Sequence, residues 1–114
     1  MDLSTIIVHY KSRDPLLTCL EALGPVAAGS GRETVVVDNA SRDGIREDLE
    51  ARFPAVRLIQ NEENVGYARA VNQGFRASTG EFVLVMNPDC EPRAGAIQTM
   101  LEKLVAERRS IWFG

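Results

Sequence analysis

Four short apolar runs, Thr5-Ile6-Ile7-Val8, Thr34-Val35-Val36-Val37, Val56-Arg57-Leu58-Ile59 and Phe82-Val83-Leu84-Val85-Met86, constrain this chain more than any other feature. The first two are β-branched and continuous rather than alternating, which is the pattern of strands buried on both faces. Each pair of runs is separated by a stretch long enough for a helix. Asp14-Pro15 offers a start and Gly24-Pro25 a stop, so a first helix is expected over 15–23. Ser41 or Asp43 can cap a second, through Ile45, Leu49 and Phe53 to the break at Pro54. A third is expected over 67–78 before Gly80, and a fourth over 94–108 with Ile97, Met100, Leu101, Leu104 and Val105 on one stripe. Ile111-Trp112-Phe113 reads as the start of another strand. Strand and helix in alternation mean parallel neighbours joined by right-handed crossovers. The expected fold is α/β: an open, mainly parallel, Rossmann-like sheet with helices on both faces.

The 114 residues, 45% of them hydrophobic, suit one domain spanning 1–114. A formal net charge of -3, with no basic run longer than Arg108-Arg109, argues against a nucleic-acid partner. Cys19 and Cys90 are distant and lack metal-ligand spacing, so a reducing cytoplasm is the expected location, with the cytoplasmic face of a membrane as a peripheral variant. No apolar stretch reaches the roughly 18 residues of a membrane span, nor does the N-terminal run suit a signal peptide. Gly29-Ser30-Gly31 precedes the second strand and lacks a third glycine at Thr34, which excludes a dinucleotide fingerprint. Neither a phosphate-binding P-loop nor a hydrolase elbow occurs.

In an open α/β sheet, ligands bind beyond the carboxyl ends of the strands. Here those ends are polar: His9 and Tyr10, Asp38 and Asn39, Asn61 followed by Asn64, and Asn87-Pro88-Asp89. Each group alone could be a turn or a cap; four together point to a site. Gly66 permits a tight turn before the third helix, whose first-turn N–H groups could face a phosphate. Along that helix Ala68, Val71 and Phe75 form the expected apolar stripe, with Asn72 on or beside it and therefore in need of partners. Asp89, directly after a buried strand, calls for a cation; Mg²⁺ or Mn²⁺ held by one carboxylate and a diphosphate would satisfy it. His9, the only histidine, more readily shapes a strand end than acts as a general base.

Taken in order, Ile6-Ile7-Val8-His9-Tyr10, Val36-Val37-Asp38-Asn39-Ala40-Ser41, Asn61 through Gly74 and Met86-Asn87-Pro88-Asp89 resemble the family 2 glycosyltransferases, inverting enzymes of the GT-A fold. The Asn-Pro-Asp form and the segment 36–41 are similar to rhamnosyltransferase-like members. The resemblance implies a nucleotide-diphosphate sugar donor, a divalent metal (Mg or Mn), and an acceptor saccharide or lipid-linked glycan. It implies that His9 and Tyr10 flank the base or ribose and that Asp38, with Asn39 beside it, binds the base. It further implies that Asn64, Gly66 and Asn72 shape the nucleotide pocket and that Asp89 with Asn87 holds the metal. Many relatives carry Arg where this chain has Val71. Members of the family are longer, with their acceptor-binding half and general base in a later segment. The chain therefore reads as the donor-binding half of such an enzyme, either truncated or naturally short, and is expected to self-associate through its apolar end as a homo-oligomer. The rival reading is a non-catalytic nucleotide or nucleotide-sugar binding module.

Overall fold

The computed structural model describes residues 3–28, 32–89 and 111–113. Five parallel strands form one sheet: β1 (Leu3–His9), β2 (Arg32–Asp38), β3 (Arg57–Gln60), β4 (Phe82–Met86) and β5 (Ile111–Phe113), in the order β3-β2-β1-β4-β5. Among the described residues three helices lie between them, α1 (Arg13–Ala28), α2 (Ile45–Arg52) and α3 (Tyr67–Ala77). The helix expected over 94–108 falls outside the described residues.

The β1 and β2 runs are buried on both faces, as their continuity predicts, whereas β4 is fully buried only at alternate residues and the edge strand β3 only in part. Leu3, Ile7, Val36, Leu84 and Met86 pack with Leu16, Leu20 and Leu23 of α1 and with Ile45 and Leu49 of α2. Val8, Val35 and Val37 point the other way, toward Ala70 of α3. This alternation follows from the two-residue period of a strand. Helices therefore cover both faces, α1 and α2 on one and α3 on the other.

Two local expectations need correction. Helix α1 runs through Gly24-Pro25 instead of stopping at residue 23. A proline costs a helix one hydrogen bond and some strain, whereas Leu16, Leu17, Cys19, Leu20 and Leu23 anchor α1 to the sheet, and packing outweighs local propensity. The expected stripe of α3 is also displaced. Ala70 and Gly74 are its buried residues, while Ala68 is exposed and Phe75 is 58% exposed. A Cβ at Gly74 would stand 2.5 Å from Ile6 Cγ2, so α3 approaches β1 more closely than any larger residue there would permit. Asn72, two residues after Ala70 and roughly 200° around the helix, consequently faces away from the sheet and is exposed.

The strand order reverses direction between β1 and β4, because β2 and β3 lie to one side of β1 and β4 to the other. A reversal of this kind opens a crevice beyond the carboxyl ends of the strands. His9 pairs in register with Asp38, and Asp38 with Gln60, which brings three of the polar ends together on that edge. Met86 is in register with Ile7, placing Asn87 to Asp89 on the far side of the crevice.

Candidate functional site

Asp38 is a buried carboxylate at this edge. It is 2% exposed, yet it lines a cleft of about 550 Å³ together with Ala40, Arg42, Gln60, Asn61 and Glu62. Its Oδ1 accepts the backbone N–H of Ser41 at 3.0 Å, and its Oδ2 accepts the Gln60 side-chain amide at 3.2 Å. Each oxygen retains a lone pair, so the carboxylate is oriented and still able to accept from a ligand. A second cleft of about 370 Å³, lined by Leu49, Phe53 and Leu58 among others, lies between α2 and β3 and holds none of the expected site residues.

Asn39, equally buried, is committed within the protein. Its Oδ1 accepts from Asn61 Nδ2 at 3.0 Å and from the Val65 N–H at 3.4 Å, and its Nδ2 donates to the Gly66 carbonyl at 3.2 Å. It fastens the β3–α3 loop to the end of β2. Asn61 and Gln73 complete the fastening with a reciprocal amide pair, both bonds 2.8 Å. Gln73 had no signal in the sequence beyond being a polar residue on a helix. Asn64 is exposed and accepts the Gly66 N–H at Oδ1, 2.9 Å. This small turn prepares Gly66, whose φ of +90° a side chain rarely adopts, at the N-terminus of α3.

Of the two residues expected to flank a base, Tyr10 is exposed and has Lys11 Nζ 5.2 Å from its ring centroid. His9 is 0% exposed. Odd-numbered residues of β1 face α1 and α2, so its ring lies inside, where Nε2 is 2.8 Å from Asp43 Oδ2. Because a carboxylate accepts, Nε2 carries the hydrogen; Nδ1 has no partner. Further ties hold the β2–α2 loop: the Asn39 N–H donates to the His9 carbonyl and the Lys11 N–H to Ser41 Oγ, each at 2.8 Å. Neither expected residue is the cap of α2: Gly44 holds that position with no side-chain cap bond, while Asp43 Oδ1 accepts the Ile45 N–H at 3.3 Å from one residue further out and Ser41 is turned toward Lys11. Within these ties the backbone is strained. Lys11, Ala40 and Arg42 have φ of 51°, 64° and 54°, left-handed values uncommon outside glycine.

Asn87 and Pro88 are half-buried beyond β4, and Asp89 is exposed on the turn that follows. Among the described residues no three His, Cys, Asp or Glu side chains group closely enough to hold a metal. One carboxylate and one amide oxygen nevertheless match what Mg²⁺ or Mn²⁺ takes from a protein when phosphates and water supply the rest. Nor is any helix among the described residues long and apolar enough to cross a membrane.

Comparison with known proteins places this geometry. The family model described as glycosyl transferase family 2 matches residues 4–114. A low-salt glycan biosynthesis hexosyltransferase of Haloferax volcanii is 37% identical over 94 residues, covering 79% of this chain and 28% of that protein. A dolichol-phosphate mannosyltransferase of Pyrococcus furiosus is 29% identical over 107 residues, 91% of this chain and 30% of its own length. The chain thus spans under a third of these two relatives. Among solved structures, TarS of S. aureus, residues 1–349, superposes with a TM-score of 0.79 at 23% identity, covering 95% of this chain and 33% of that one. A mannosyltransferase of Pyrobaculum calidifontis, solved with GDP-Man and Mn2+, superposes at 0.74 with 26% identity, covering 90% of this chain and 32% of that one.

Proposed function

Since the chain belongs to glycosyl transferase family 2 and has the GT-A fold, we propose that its carboxyl edge binds a nucleotide-diphosphate sugar and forms the donor half of an inverting transfer site. The observation that carries this reading is Asp38, a carboxylate held on both oxygens yet open to a cleft at the edge where such a sheet binds ligands. It would accept a base N–H, while exposed Tyr10 offers a face to the base or ribose. His9, lacking exposed surface, serves the pocket through Asp43, and Asn39 serves it by fixing the loop that carries Asn64 and Gly66.

Asn87 and Asp89 would hold the divalent metal, whose chemistry is to neutralise the diphosphate as it leaves. Support for a metal comes from the Pyrobaculum relative, solved with Mn2+, and from the oxygen-only donor set. In the inverting reaction an acceptor hydroxyl, on a saccharide or lipid-linked glycan, displaces the nucleoside diphosphate from the opposite face of the anomeric carbon. The proposed setting is cytoplasmic. The test is calorimetry of UDP and GDP with Mn²⁺ and with EDTA. Binding should depend on metal, and Asp89→Ala should abolish that dependence while the circular dichroism spectrum stays unchanged, because a diphosphate beside a bare carboxylate meets like charge. Equal affinity in Mn²⁺ and EDTA would remove the metal from this reading.

A further inference from the structure

Arg42 lies on the outer lip of the cleft that Asp38 lines from within. Its backbone leaves the end of β2 with φ 54°, and its guanidinium NH2 donates to the Glu62 carbonyl at 3.2 Å. The side chain therefore reaches from the β2–α2 loop to the β3–α3 loop, across the two sides of one cleft. Asp38 is buried and Arg42 exposed, so the two lining residues mark its inner end and its mouth.

A non-glycine residue in the left-handed region costs roughly 1 kcal/mol and persists only where surrounding contacts enforce it. Those contacts are present on both sides of Arg42. Upstream, the Ser41 N–H is held by Asp38 and Ser41 Oγ by the Lys11 N–H. Downstream, Asp43 is held by His9 and by the Ile45 N–H. None of these bonds uses the Arg42 side chain. The loop's own tethers thus do not account for an arginine at a position that glycine would occupy without strain.

A guanidinium fixed at one nitrogen presents a flat, cationic face, which stacks well on a heteroaromatic ring. We infer that Arg42 is a base clamp: its guanidinium plane covers a heteroaromatic base whose edge N–H is taken by Asp38. Uracil, thymine and guanine carry such an N–H beside a carbonyl. The inference rests on the donor-binding reading above and adds to it the residue that grips the base.

The experiment compares wild type, Arg42→Gly and Arg42→Lys by calorimetry with UDP, GDP and inorganic pyrophosphate in Mn²⁺, alongside thermal melting. Glycine suits the left-handed backbone, so Arg42→Gly should melt no lower than wild type. Its affinity for UDP and GDP should fall about fivefold to thirtyfold, the range between an exposed and a desolvated cation–π contact. Pyrophosphate, which has no base, should bind equally to both. Arg42→Lys, with the charge but no plane, should resemble Arg42→Gly. A clamp is overturned if Arg42→Gly keeps the wild-type ratio of UDP to pyrophosphate affinity, or if Arg42→Lys retains full affinity. If wild type binds pyrophosphate but neither nucleotide, the donor-binding reading itself fails, and the clamp with it.

Discussion

A histidine at the end of a buried strand has two nitrogens to satisfy, and His9 satisfies one. Its Nε2–H donates to Asp43, whose other oxygen accepts the first N–H of α2. Removing the acceptor strands a buried donor, whereas removing donor and acceptor together does not. Asp43→Ala should therefore cost about 1–3 kcal/mol in a urea titration, and the same change in a His9→Phe background should cost distinctly less. Strict additivity would show that the bond contributes nothing to holding the loop. Much of this edge was legible in the sequence, because polar residues ending a buried run have few alternatives to a turn or a site. Asp38 belongs to that class. What could not be read was how the amides share their bonds: Asn39 and Gln73 differ from any other polar loop or helix residue only through partners 12 or more positions away. The inward turn of His9 was equally hidden, since which strand parity faces α1 is settled by the tertiary arrangement.

At the scale of elements, size mattered where hydrophobicity was read. β1 and β2 were legible because burial on both faces imposes an unbroken apolar run, and β4, fully buried only at alternate residues, still lies at 82–86 as expected. The buried side of α3 was not, because a large-residue stripe and a close-approach face leave different traces, and only the first has a strong pattern. Ala70 and Gly74 bring α3 onto β1, leaving Phe75 outside. Two effects then compete in Gly74→Ala. Helix propensity favours alanine by about 1 kcal/mol. Against it, the new Cβ would lie 2.5 Å from the Cγ2 of Ile6, itself fully buried, and overpacking costs about 1–3 kcal/mol. The clash should win, lowering the midpoint of urea unfolding. A raised midpoint would mean that the helix lifts from the sheet freely.

Across the whole molecule, the sheet edge opposite the cleft carries its own polar knot, and it bears on stability. Glu33 Oε2 accepts from Ser4 Oγ at 2.6 Å, from the Thr79 N–H at 2.6 Å and from Thr79 Oγ1 at 2.8 Å, while Arg57 donates to Oε1 at 3.3 Å. Ser4 Oγ in turn accepts the Gly80 N–H, and Arg57 also donates to the Ala77 carbonyl. One carboxylate thus joins β1, β2, β3 and the segment that follows α3. Burial alone would raise the Glu33 pKa, but the bonds from Ser4, Thr79 and Arg57 outweigh it and lower the value from 4.5 to about 2. The sign follows directly. Above pH 4.5 the carboxylate is ionised in folded and unfolded chains alike, and its full contribution is present. As pH falls from there toward 2, the unfolded chain takes up a proton that the folded chain refuses, so stability declines through that window. The loss is at most about 3 kcal/mol, from the usual conversion of a pKa shift. Glu33→Gln should lower stability at pH 7 and flatten its dependence between pH 4.5 and about 2, measured as urea midpoints across that range. Parallel curves for variant and wild type would place the acid sensitivity of the fold in another carboxylate.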